Sequence, residues 1–252
     1  MASKLALNGG VALVTGAANS VEKETAFAFA EAGVEESRKY AKHAQYRFVA
    51  IKVNVADEAN EFGRIDYSVN SAGIGDISDA ITPNLQLDVF SKTTETNIKG
   101  TMLRVRAVIA AMAEQEPMNY SSRHGTRSLG RGSIVNLGSV NSYVTVPGML
   151  PYTVSKHAVI GITKSAAIDA FKSQIRVNAV CPSWVDTPMN HASLERVPQL
   201  AQIIKAVSPL QRVATTEEVV DYIVFLCSPS SSYINGTGLI IDVGATLTAH
   251  VS

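Results

Sequence analysis

The 252 residues, 46% of them hydrophobic, suffice for one large α/β domain with a core of ordinary size. Lys plus Arg and Asp plus Glu both number 22, leaving no net charge to draw nucleic acid or an anionic membrane. The histidines lack metal-ligand spacing, Cys181 and Cys227 read as buried thiols, and no apolar run approaches the ~18 residues of a spanning helix.

The start, MASKLALNGGVALVTG, is broken too early for a signal peptide, so a cytoplasmic protein is expected. Its apolar part gives a first strand, Val11 to Gly16, followed by a helix that ends at Gly33. The stretch from Val34 to Tyr46 has helical character and no apolar strand run. Strands are expected from Arg47 to Val55 and from Ile65 to Asn70, then a helix over 94–115. Residues Glu116 to Gly132, rich in Gly, Ser and Arg, read as a solvated surface loop. A strand starting at Ser133, a helix over 151–171 and a strand ending at Cys181 come next. A variable region runs from Pro182 to Pro209, ahead of a helix at TEEVVDYIVFLC and a last strand from Gly238 to Gly244. Short β-branched strands alternating with helices predict a single Rossmann-type domain over 1–252, a doubly wound parallel sheet covered on both faces.

Two connections are unusual for such a sheet. Only ADEANEFGR joins the strand ending at Val55 to the strand starting at Ile65. A parallel crossover takes about 10–12 residues or more. After Gly33, where a second strand is expected directly, none is visible. The pattern is that of two excised segments, either in a remodelled protein or because residues are missing from the chain as given.

Tyr152 and Lys156, four apart on a helix, share one face. An ammonium beside a phenol favours its ionised form, and a phenol so placed exchanges protons. Ser139, at the end of a buried strand, brings a hydroxyl to the carboxyl edge of the sheet, where ligands bind in such folds. Asn97, inside an otherwise apolar helix, reads by itself as a satisfied polar residue or a local bend.

Taken together, the motifs resemble the short-chain dehydrogenase/reductase family over nearly the whole chain. They are T15-G16-A17-A18 after the first strand, N70-S71-A72-G73, Asn97 in TNIKG, and Ser139 in NLGS. Y152-T-V-S-K156, P182-S183-W184-V185-D186-T187 and INGTGLIIDVGA complete the set. The resemblance implies Tyr152 as general acid/base, Ser139 as hydrogen-bond partner of the substrate oxygen, and Lys156 as support for Tyr152 and holder of the nicotinamide ribose. It implies Asn97 as anchor of a proton-relaying water. It places the cofactor, NAD or NADP, against Thr15, Gly16, Ser20, Asn70, Ala72, Gly73, Pro182, Val185 and Thr187, with residues 189–210 as a substrate lid. The expected activity is the interconversion of a ketone and a secondary alcohol on a small molecule. A homodimer or homotetramer is implied, pairing helices 94–115 and 151–171 between subunits.

Departures keep other readings open. The family's turn has glycines where this chain has Ser20 and Glu22, and Glu22 brings bulk and charge toward a phosphate site. Asn54 stands for an Asp, and Ser71 and Ser183 for an Asn and a Gly. An isomerase, dehydratase or cyclase that uses Tyr152 without hydride transfer is one alternative, and a catalytically silent scaffold another.

Overall fold

The structure, a computed structural model, describes Leu7 and residues 10–16, 21–32, 63–75 and 81–247. In chain order it contains β1 (Ala12–Thr15), α1 (Val21–Glu31), β2 (Tyr67–Asn70), α2 (Leu87–Thr94) and α3 (Gly100–Ala113). After these come β3 (Met118–Ser122), β4 (Gly125–Gly130), β5 (Gly132–Leu137), α4 (Leu150–Asp169) and β6 (Ile175–Pro182). The last elements are α5 (Pro188–Arg196), α6 (Leu200–Val207), α7 (Thr216–Cys227) and β7 (Gly238–Ile241).

Among the described residues the main sheet has five strands, all parallel, in the order β1-β2-β5-β6-β7. Its residues alternate between two buried layers, as strands covered on both faces must. Tyr67, Val69, Val135, Leu137 and Val180 pack toward Phe29 of α1 and Val219, Ile223 and Leu226 of α7. Leu13, Ile134 and Val177 pack toward Val105, Val108 and Met112 of α3 and Ala166 and Ala167 of α4. The doubly wound α/β expectation therefore holds for the described sheet. The expected strand 47–55, the helical stretch 34–46, Asn54 and nearly all of the 56–64 connection lie outside the described residues.

Where that connection ends, Arg64 makes a forked ion pair with Asp66, whose side chain is fully buried. Asp66 also accepts from the backbone N–H of Val11 at 2.9 Å. Gly10, at φ +101°, leaves room for this carboxylate, since a Cβ there would lie 2.7 Å from its Oδ2. These contacts tie together the starts of β1 and β2.

Two expectations are corrected. The stretch Glu116 to Gly132 is no simple loop: most of it forms the antiparallel hairpin β3–β4, joined to the rest by Arg127 donating to the Pro229 carbonyl at 2.8 Å. Arg131, expected at a solvated surface, instead donates to the carbonyls of Gln115 and Ser173. The expected helix 94–115 is broken differently. It begins earlier, as α2, and passes through a π-helical turn at Glu95–Lys99 into α3. The variable region gains two short helices, α5 and α6.

Candidate active site

The site assembles at the carboxyl ends of β1, β2, β5 and β6. Beyond β5, Gly138 passes so close to β6 that a Cβ would sit 2.5 Å from Cys181 Sγ. Ser139 follows, buried, as the N-cap of a short turn at Val140–Ser142, and its Oγ accepts from Asn141 N at 3.2 Å. Ser142 closes the turn: its Oγ accepts from Ser139 N and donates to the carbonyl of Lys156 at 2.8 Å.

Helix α4 carries Tyr152 and Lys156 one turn apart. The buried Lys156 Nζ donates to the Leu137 carbonyl at 2.8 Å and stands 5.5 Å from the centre of the Tyr152 ring. Two bonds thus connect Lys156, through its side chain and its backbone, to the segment that carries Ser139. The ring of Tyr152 faces the chain just after β2, where a Cβ on Gly75 would come within 3.4 Å of Cε2 and 3.1 Å of Met189 Sδ on α5.

Asn97 lies on the π-helical turn and is buried. Its amide donates to Ile74 O and accepts from Ile74 N, both at 2.8 Å, and donates to Ser155 Oγ at 3.0 Å. The widened turn lets one side chain reach both the loop after β2 and helix α4. Gly73 must be small here, because a Cβ would meet Asn97 Oδ1 at 3.3 Å. Arg104 of α3 donates to Ala72 O at 3.0 Å, and its burial lowers its pKa from the usual arginine value.

On the cofactor side, Gly16 has φ +91°, and a Cβ would lie 3.1 Å from the Ala72 backbone. Only glycine fits this turn. Helix α1 begins just beyond it, which aims the positive end of a helix at the same edge. Thr15 is buried and donates to Val69 O at 3.4 Å. Asn70 donates to Asn136 Oδ1 at 2.9 Å, while its own Oδ1 is buried without a partner. Two of the departures meet each other: Glu22 accepts from Ser71 Oγ at 2.6 Å. Ser20 lies outside the described residues.

Pro182 ends β6 opposite Ile241, Val185 is buried and bridges to Ala214, and Thr187 caps α5 by accepting from Asn190 N at 3.2 Å. The structure therefore brings Asn97, Ser139, Tyr152 and Lys156 to one edge, with Thr15, Gly16, Asn70, Ala72, Gly73, Pro182, Val185 and Thr187 along the ends of the same strands. Sequence reasoning missed Ser142, Ser155, Arg104 and Gly75. Of these, Ser142 had a visible signal, since Ser139-x-x-Ser142 has the spacing of a capping box.

A family profile described as Enoyl-(Acyl carrier protein) reductase matches residues 49–246. Short-chain dehydrogenase fogB of Aspergillus ruber is 43% identical, covering 95% of this chain and 98% of its own length. 2-(R)-Hydroxypropyl-CoM dehydrogenase of Xanthobacter autotrophicus is 34% identical, covering 92% and 96%. Among solved structures, ligand-free aldohexose dehydrogenase of Thermoplasma acidophilum superposes with a TM-score of 0.79 at 27% identity, covering 97% of this chain and 96% of that one. Fold and neighbours define a Rossmann-type oxidoreductase. The chain belongs to the short-chain dehydrogenase/reductase family. The alignment with fogB spans 267 positions against a chain of 252 residues, so it closes only with gaps in this chain.

Family membership implies a nicotinamide dinucleotide, and the described residues fit one. Gly16 turns the chain tightly past Ala72 at the end of β1, α1 starts at Val21, and Asn70 Oδ1 is left without a partner at the same strand edge. Among the described residues no helix is long and apolar enough to cross a membrane.

Proposed function

We propose that the protein interconverts a ketone and a secondary alcohol on a small organic molecule, with Tyr152 transferring the proton. The observation that carries this reading is the buried Lys156 ammonium, bonded to Leu137 O and set 5.5 Å from the Tyr152 ring, with the Lys156 carbonyl held by Ser142 of the turn that Ser139 caps. The 2-(R)-hydroxypropyl group in one relative's name is a secondary alcohol, which supports the same substrate class.

The dinucleotide, when bound, supplies or accepts the hydride. The chain's residues do the rest. In the reducing direction Tyr152 gives its phenolic proton to the oxygen of the former carbonyl. The Ser139 hydroxyl hydrogen-bonds that oxygen as charge gathers on it. The Lys156 ammonium stabilises the phenolate left on Tyr152 and would hold the ribose of the nicotinamide end. Asn97 acts by position: its amide, taken up by Ile74 and Ser155, holds the loop after β2 against α4. NAD or NADP serves as cofactor, a small molecule as substrate, and a second copy of the chain as partner.

Titration with NADH and NADPH, read by nicotinamide fluorescence, tests the reading. Saturable micromolar binding of one form supports it and identifies the cofactor. Absence of binding of both, by folded protein, sinks it. Glu22, an acid in the first turn of α1, favours the non-redox reading that would then take its place.

A further inference from the structure

A side chain of α5 reaches the Tyr152 ring. At Gly75, just after β2, a Cβ would lie 3.1 Å from Met189 Sδ and 3.4 and 3.6 Å from Cε2 and Cδ2 of Tyr152. The thioether and the ring edge therefore border one methyl-sized space. Cε2 adjoins the ring carbon that bears the hydroxyl, so Met189 stands along the edge of the ring that the reacting group approaches. Gly75 lacks the positive φ seen at Gly16 and at other turns of this chain, so its backbone conformation accepts any residue. What keeps it a glycine is the closeness of Met189 and Tyr152.

The backbone of Met189 is fixed while its side chain is free. Thr187 caps α5 by accepting from Asn190 N at 3.2 Å, Asp186 pairs with His191 at 2.7 Å, and Ser193 Oγ donates to Met189 O at 2.9 Å. The Met189 residue is 46% exposed. Its unbranched, polarizable side chain adapts to apolar surfaces and makes favourable contacts with aromatic rings. Tyr143, Val144 and Val146, on the loop between Ser139 and Tyr152, are exposed as well. That loop is held to α4 where Thr145 Oγ1 stands 3.0 Å from Thr153 Oγ1, next in the chain to Tyr152. One exposed apolar side chain is ordinary, whereas four on the two segments that adjoin Ser139 and Tyr152 describe a surface for an apolar ligand.

Resting on the oxidoreductase reading, we infer that Met189 is a specificity-determining residue: its thioether is the wall against which an apolar group beside the reacting carbon packs, and Gly75 sets how far that wall stands from Tyr152. The substrates are then ketones and secondary alcohols with an alkyl or aryl substituent next to the reacting carbon. A methyl group added at Gly75 pushes the Met189 side chain, the more flexible of its two neighbours, toward the substrate and narrows the space. Truncation of Met189 widens it.

The probes are methyl ketones whose second substituent grows from ethyl through hexyl and phenyl to naphthyl, assayed with whichever dinucleotide binds. In wild type, kcat/KM passes through a maximum along the series. Met189→Ala moves the maximum to a larger ketone and Gly75→Ala to a smaller one, each changing the ratio between neighbouring ketones by about tenfold, the usual worth of a methylene-sized misfit. In the double variant the two changes offset, and the maximum returns toward its wild-type place, which a merely structural role for either residue would not produce. The same order of preference in wild type and both single variants, or a uniform loss across all ketones, overturns the inference. If no ketone is turned over, the oxidoreductase reading has failed, and the wall is decided separately by NMR of protein carrying ¹³C-methyl methionine. The Met189 signal is the one, among six methionines, that Met189→Ala removes. Its saturable shift on adding acetophenone keeps the apolar wall; an unmoved signal removes it.

Discussion

Replacing Tyr152 by phenylalanine removes one oxygen and keeps the ring beside Gly75. The proposed proton transfer then has no donor, so turnover falls by about 10²–10⁴-fold, the usual worth of a positioned acid/base, while dinucleotide binding persists. Stopped-flow or steady-state assay beside the fluorescence titration checks both halves. Val243 offers a second substitution. It has φ 49°, a left-handed conformation that a β-branched side chain adopts only with strain, and it is exposed. Val243→Gly raises stability by about 0.5–1 kcal/mol, visible as a later midpoint in urea. At this scale Tyr152, Lys156 and Ser139 were legible because their types and spacing encode chemistry. Arg104 and Ser155 were not, since their partners, Ala72 O and Asn97, are far away in the chain and only the fold brings them together.

Among the elements, the hairpin β3–β4 escaped prediction because a strand is recognised by one apolar face. MNYSSRHGTRSLG has none: most of its side chains are exposed, and it is fixed instead by Arg127 on Pro229 O and by its own ladder. The π-helical turn at Asn97 escaped for a similar reason, since what widens it is one amide bonding across to Ile74 and Ser155. Of the two local readings made of Asn97, the satisfied polar residue is the one its bonds bear out. Element ends also carry measurable stability. Arg64→Met leaves the buried Asp66 carboxylate without its cation where β1 and β2 begin, and costs about 3 kcal/mol in chemical denaturation. Thr215 and Glu218 form a capping box on α7, and Arg212 grips the same carboxylate. The Arg212 bond, then the backbone N–H of Thr215, lowers the Glu218 pKa from 4.5 to about 2. A lowered carboxylate stabilises above its unfolded pKa and loses that contribution as pH falls through the folded one. Wild type is therefore more stable than Glu218→Gln at neutral pH, modestly because the pair is exposed, and the gap closes between pH 4.5 and about 2. Thermal melts across that window show it.

For the molecule as a whole, the doubly wound arrangement was legible in the alternation of short strands and helices. The helices proposed to pair between subunits leave Met102 and Leu103 on α3, and Val154 and Ile168 on α4, exposed in the single chain. Sedimentation or light scattering should therefore give a dimer or tetramer, and a Leu103→Glu, Ile168→Glu double variant should shift it toward monomer. A monomeric wild type would refute the pairing.

Asn70 and Asn136 face each other across β2 and β5, and Asn136 passes the chain of bonds on to Thr163 of α4. Valine and isoleucine around them would pack almost equally well if the strands slid by two residues, because such a slide preserves which face each side chain takes. The amides would not. A slipped pair buries them without partners, at about 1–3 kcal/mol for each. The ladder thus works as a check on alignment: strands set out of step bury unpartnered amides, and the paired arrangement is the one that leaves Ser139, just past β5, at the sheet edge toward which α4 carries Tyr152.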